Sequence, residues 1–145
     1  MKKVLFQGTF DLLNYGHVRA FEDAKKQGDY LVVALNTDDL IRRYKKREPI
    51  LPYEQREAIL KAIRFIDEVI PVNDFSPLEL LKEHDIDVYV IGSEWEASKM
   101  KEAAYMKSIG GKVFYTPEYD GVIHSSQIRR KCVQEASKLY QRGDL

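Results

Sequence analysis

The chain has 145 residues, 44% of them hydrophobic, which allows one packed unit with a sizeable core and no cross-links. Lysine plus arginine and aspartate plus glutamate number 23 each, so no net field draws the protein onto nucleic acid or anionic lipid, and any anion site has to be local. The single cysteine, Cys132, excludes an internal disulfide and a cysteine-rich metal cluster. Met1 runs straight into KKVLFQG, too short for a secretory leader, and no apolar run approaches the roughly 18 residues of a membrane span. The cytoplasm is therefore the expected location, with no membrane and no nucleic acid as partner.

In chain order, a strand is predicted at KKVLFQG, then a turn through TFDLLN and a helix from about Gly16, with Val18, Phe21 and Ala24 on one face and Gly28 as its stop. A second strand at DYLVVALN leads to helices TDDLIRRY and PYEQREAILKAIRF, joined across the basic stretch RYKKREPIL. DEVIPV, IDVYVIG and KVFYTP complete the strands, with helices SPLELLKEHD and EASKMKEAAYMKSIG between them and a C-terminal helix at about 125–141. This alternation predicts one α/β domain over residues 1–145: a doubly wound, mostly parallel five-stranded sheet with helices on both faces. Ligands in such sheets sit beyond the carboxyl ends of the strands, at the switch point of strand order, which places Gly8 to His17 at the site. A helix starting at Gly16 and His17 aims its first N–H groups and the positive end of its dipole at that crevice, an arrangement suited to phosphate. Gly8 is expected to let a ligand approach the backbone, and Gly16 to leave room where a side chain would block it.

The stretch GTFDLLNYGH resembles the G-T-F-D-x-x-H-x-G-H signature of the cytidylyltransferase branch of the nucleotidylyltransferase superfamily. The similarity extends through MKKV, GDYLVVALNTD, YEQR, IRFIDEVIP, IDVYVIGSEWE and IHSSQIR, in the order found in bacterial glycerol-3-phosphate cytidylyltransferases, over roughly residues 1 to 130. The resemblance implies a Rossmann-like nucleotidylyltransferase fold and a homodimer. It also implies transfer of CMP from CTP to a small phosphate or phosphonate monoester with release of pyrophosphate. Mg²⁺ is implied as well, held mainly by the triphosphate, with no metal site made by the protein.

Several site residues follow from the same resemblance. His17 corresponds to the second histidine of the signature, a phosphate contact that helps carry developing charge. Thr9, Phe10 and Asp11 match the turn that lines the nucleotide, Phe10 as a packing residue. Lys45 or Lys46 resembles the loop lysine that grips the triphosphate; read without the resemblance, the cluster Arg42, Arg43, Lys45, Lys46, Arg47 is more often a solvated basic face or a nucleic-acid patch. Arg56 and Arg64 match family arginines with a phosphate-facing or dimer-organising role, and their eight-residue spacing on one helix, about two turns, would put them on one face. GSEWE is similar to the family's G-D-D-W-E, which sets Gly92, Glu94 and Trp95 beside the base and ribose. Ser125 and Ser126 resemble the hydroxyl pair of I-S-T-T-K-I that opens the last helix.

Two departures bear on activity. Asn14 stands where the signature has its first histidine, and an amide can donate one neutral hydrogen bond to a phosphate but cannot be a cation or trade a proton. An engineered inactivating substitution, a natural pseudoenzyme and a natural variant relying on Lys45 and Mg²⁺ all fit, and the otherwise intact motif favours a substitution in a working site. The family's R-T-E-G-I-S has become PEYDGVIHS, with Glu118 or Tyr119 near the position of the arginine for the second substrate, so the acceptor stays open. His124 is new there and reads as readily as a solvated loop residue, whereas His84 in KEHD reads as a solvated surface residue. The rival functions are an ATP-dependent adenylyltransferase of the same superfamily and a nucleotide-binding regulatory protein without turnover.

Overall fold

The computed structural model describes residues 1–144, apart from the side chains of Ser93 and Glu94. Five strands, β1 (Lys3–Gly8), β2 (Tyr30–Asn36), β3 (Glu68–Val72), β4 (Val88–Gly92) and β5 (Lys112–Thr116), form one sheet in the order β3-β2-β1-β4-β5. Every pairing is parallel. The helices are α1 (Tyr15–Lys25), α2 (Asp38–Lys45), α3 (Tyr53–Lys61), α4 (Leu78–Glu83), α5 (Met100–Ser108) and α6 (Ser125–Arg142). The chain runs outward from β1 to β3, then returns past β1 to β4, so β1 and β4 flank the switch point.

Strand alternation sorts the apolar residues to two faces. Val4, Phe6, Leu31, Val33, Leu35, Val88 and Val90 pack in one cluster with Phe21 and Ala24 of α1 and Leu60 of α3. Leu5, Val32, Ala34, Tyr89 and Ile91 point the other way, onto Leu81 of α4 and Met106 of α5. Burial on both faces is why these strands read as nearly continuous apolar runs. No helix among the described residues is long and apolar enough to cross a membrane.

Two element boundaries differ from the sequence expectation. The helix anticipated through Phe65 stops at Lys61, and the chain continues in tight i→i+3 turns, Ile63 N–H donating to Leu60 C=O and Ile66 N–H to Ile63 C=O, with Ile63, Phe65 and Ile66 packed against the first core cluster. Arg56 and Arg64 therefore do not share a helix. The helix expected from Glu96 begins instead as a 3-10 segment, Ser93–Lys99, leading into α5.

Candidate active site

A cavity of about 500 Å³ opens beyond the carboxyl ends of β1, β2, β4 and β5. Gly8, Thr9, Phe10, Asp11, Asn14, Gly16, His17, Lys45, Gly92, Trp95 and Ser125 line it. Lys46, Arg56, Arg64 and Ser126, also selected from sequence, do not. The side chain of Glu94 lies outside what the structure describes.

The first turn is shaped by Phe10, which takes a left-handed φ of 48° at a cost of about 1–2 kcal/mol. Its ring is buried edge-on against Phe6, Phe21 and His17, with centroids 5.5, 5.0 and 5.4 Å away, and such pairs offset the strain at about 0.5–1.5 kcal/mol each. This ring also explains Gly8. A Cβ there would lie 2.4 Å from Phe10 Cζ, so the glycine makes room for the protein's own aromatic rather than for an approaching ligand. Gly16 is corrected likewise: its Cβ would meet Val122 Cγ1 at 2.7 Å.

Asn14 is the N-cap of α1. Its Oδ1 accepts from Gly16 N–H at 3.0 Å and His17 N–H at 3.4 Å, and its Nδ2 donates to Leu12 C=O and to Ser125 Oγ, each at 3.3 Å. Two N–H groups anticipated for a phosphate are thus already paired. Ser125 Oγ in turn donates to Leu12 C=O at 3.0 Å, so the starts of α1 and α6 are laced together.

His17 closes the same cap, its Nδ1 accepting from Asn14 N–H at 3.2 Å. With Nδ1 occupied as an acceptor, the neutral ring carries its proton on Nε2, leaving a donor for the cavity. Burial first, then the nearby His124 and Lys45, lower its pKa to about 4, so His17 works as a neutral donor rather than a cation.

Behind these side chains, two buried ions fix the walls. Arg56 is 0% exposed. Its guanidinium donates to Thr9 C=O, Asn36 C=O and Leu51 C=O at 2.9 Å each and pairs with Asp38 at 2.7 Å. It is a clamp joining the β1–α1 turn, the end of β2 and the loop before α3, and its donors are spent on the chain itself. Asp11 accepts from Ile50 N–H and Leu51 N–H at 2.8 Å each, with Arg129 at 3.4 Å and Arg47 at 3.8 Å. Its role is to hold the basic loop down as well as to line the cavity.

The two candidate lysines separate cleanly. Lys46 is the C-cap of α2 at φ 54°, exposed and away from the cavity, whereas Lys45 lines it. Both lysines are exposed, but desolvation of the Lys45 ammonium at the cavity wall, with Arg47 and Arg129 adding like charge, holds it below the usual lysine range. Arg64 is exposed and lies over the Phe65 ring at 5.0 Å.

Sequence reasoning missed Arg129, which lines the cavity with its Nε buried and without a hydrogen-bond partner. The signal was present in IHSSQIR: Arg129 follows Ser125 by four residues, one helical turn along the same face. Also missed was an aromatic cluster at the other end. Tyr44, Phe75 and Trp95 all line the cavity, with ring centroids 4.8 to 6.2 Å apart, and Lys99 Nζ sits 3.7 Å from the Phe75 centroid. Only Trp95 was anticipated, since Tyr44 and Phe75 sit in stretches without a motif of their own.

Residues 5–131 match the family described as cytidylyltransferase-like. The glycerol-3-phosphate cytidylyltransferase of Bacillus subtilis is 41% identical over 123 residues, covering 84% of this chain and 91% of the relative. An FAD synthase of Thermococcus kodakarensis is 40% identical over 118 residues, 79% of each chain. Among solved structures, the lipopolysaccharide core biosynthesis protein from Thermoplasma volcanium superposes with a TM-score of 0.72 at 24% identity, covering 83% of this chain and 99% of that one, a likeness of fold. The parallel sheet, the turn into α1 and the sequence matches converge: this chain belongs to the cytidylyltransferase-like family of nucleotidyltransferases.

Proposed function

We propose that the protein transfers a cytidylyl group from CTP to a small phosphate or phosphonate monoester, releasing pyrophosphate. The observation that carries this reading is the cationic end of the cavity, where Lys45, Arg129 and the Nε2–H of His17 face the same space at the switch point. A polyphosphate would supply an anion for Lys45 and an acceptor for the unpartnered Arg129 Nε–H and the His17 Nε2–H. In the transfer, an acceptor oxygen attacks the α-phosphorus in line as the bond to the departing pyrophosphate breaks, and no covalent intermediate on the protein is required. Lys45 and Arg129 hold the phosphates whose charge grows on the leaving side, His17 adds a neutral hydrogen bond, and the Arg56 and Asp11 clamps keep these groups in register.

Mg²⁺ enters this reading as a companion of the triphosphate, shielding its charge. Among the described residues no group of three or more His, Cys, Asp or Glu is gathered that could hold an ion, and Asp11 is occupied by backbone N–H groups and arginines. On this reading its ligands are phosphate oxygens and water.

The B. subtilis relative supports cytidine, whereas the FAD synthase relative favours adenylyl transfer from ATP as a second reading. Melting scans with each nucleotide separate them. At a hundredfold excess over its dissociation constant, CTP should stabilise the fold by about 2.7 kcal/mol. Equal stabilisation by ATP at the same concentration contradicts cytidine specificity.

A further inference from the structure

Both ends of the Asn14 amide are engaged inside the protein: Oδ1 by the N–H groups of Gly16 and His17, Nδ2 by Leu12 C=O and Ser125 Oγ. An amide so engaged offers the cavity no donor. Its bridge to Ser125 has a second consequence, for it fixes the start of α6 against the start of α1. His124, the N-cap of α6 at φ −75° and ψ 160°, is thereby placed on the cavity wall along with His17, the third residue of α1. The main chain of His124 is held separately, its N–H donating to Gln127 Oε1 at 2.7 Å.

We propose that His124 is a phosphate-binding residue of this site, its imidazole donating to the polyphosphate from the α6 side and providing the donor that the capped Asn14 does not. The inference rests on the nucleotide-transfer reading above and adds a residue to it. His124 stands among the groups that an anion would gather: Lys45 from α2, Arg129 one turn further along α6 and His17 from α1. The carboxylates in the same lining are Asp11, already paired with arginines, and Glu118, with Tyr119 beside it. The downward push that His124 exerts on the His17 pKa places the two imidazoles near one another at this wall. A nucleotide phosphate between them would accept a hydrogen bond from each ring.

The test is titration calorimetry of magnesium tripolyphosphate and of magnesium CTP with the parent protein and with His124→Asn. Asparagine is a preferred N-cap, so the variant keeps the start of α6 while removing the imidazole. His124→Ser is the second variant, to be used if the first melts lower. Both ligands should bind about tenfold more weakly to the variant, about 1.4 kcal/mol, at an unchanged melting temperature. Equal affinity of parent and variant for both ligands overturns the inference, as does failure of the parent to bind either one. Weakened tripolyphosphate binding in a protein that transfers no nucleotide to any acceptor would remove the transfer reading and leave His124 as an anion-binding residue. Unchanged binding in a protein that does transfer cytidylyl groups would do the reverse.

Discussion

At one end of the cavity the lining side chains are hydrogen-bond donors, Lys45, Arg129, His17 and His124, with Arg129 also paired to Asp11; at the other they are rings, Tyr44, Phe75 and Trp95, with Lys99 laid over Phe75. The cationic end is assembled from helix termini and cross-braced by the Asn14–Ser125 bridge. The aromatic end rests on the loops after β3 and β4 and on the last turn of α2, held by ring packing. The difference teaches how the work divides on the proposed reading. Phosphates are common to every nucleoside triphosphate, so rigid donors suffice for them, while the parts that distinguish one substrate from another meet adaptable apolar surface.

The largest effect should come from the clamp shared by both ends. Replacing Arg56 with alanine leaves three carbonyls and the Asp38 charge without their partner, and urea unfolding should show a loss of about 3–5 kcal/mol. A loss below about 1 kcal/mol would make Arg56 a bystander. Next is a pH effect confined to the cationic end. His17 has a folded pKa of about 4 against 6.5 ordinarily, so the unfolded chain takes up the extra proton between those values. The stabilisation from its burial is full above about pH 6.5 and lost as pH falls toward 4, by up to about 3 kcal/mol. Urea unfolding of His17→Gln should show a correspondingly flatter decline, and parallel curves for the two proteins would contradict the shift.

Smaller effects separate the two ends through their ligands. Lys45→Ala should weaken tripolyphosphate and CTP binding alike, by about 1.5–3 kcal/mol, while Lys46→Gly leaves both unchanged. Titrations in which Lys46 matters and Lys45 does not would reverse the assignment. Trp95→Ala should weaken CTP by about 1–3 kcal/mol, with tripolyphosphate binding untouched. Equal weakening of both ligands would show that the rings do not discriminate between nucleoside and phosphate.

Much of this architecture was legible beforehand because apolar runs such as LVVAL, alternating along the chain with segments of helical period, fit a parallel sheet covered by helices on both faces. The first turn and the position of His17 were legible from GTFDLLNYGH. What could not be read were roles that depend on distant partners. Nothing local marks Arg56 as a clamp, since Thr9, Asn36 and Leu51 reach it only through the fold. Gly8 and Gly16 suggest ligand room until Phe10 and Val122 are seen to fill the space. Asn14 read as a damaged donor because its capping hydrogen bonds appear only once α1 has a start and α6 lies across from it.

The proposed reaction is tested most directly by incubating the protein with magnesium CTP and a panel of phosphomonoesters and phosphonates, measuring pyrophosphate release and the mass of the product. The account predicts pyrophosphate in step with a product carrying one cytidylyl group for at least one acceptor, with ATP at equal concentration slower. Binding of CTP without pyrophosphate release on any acceptor, or faster release from ATP, would contradict it.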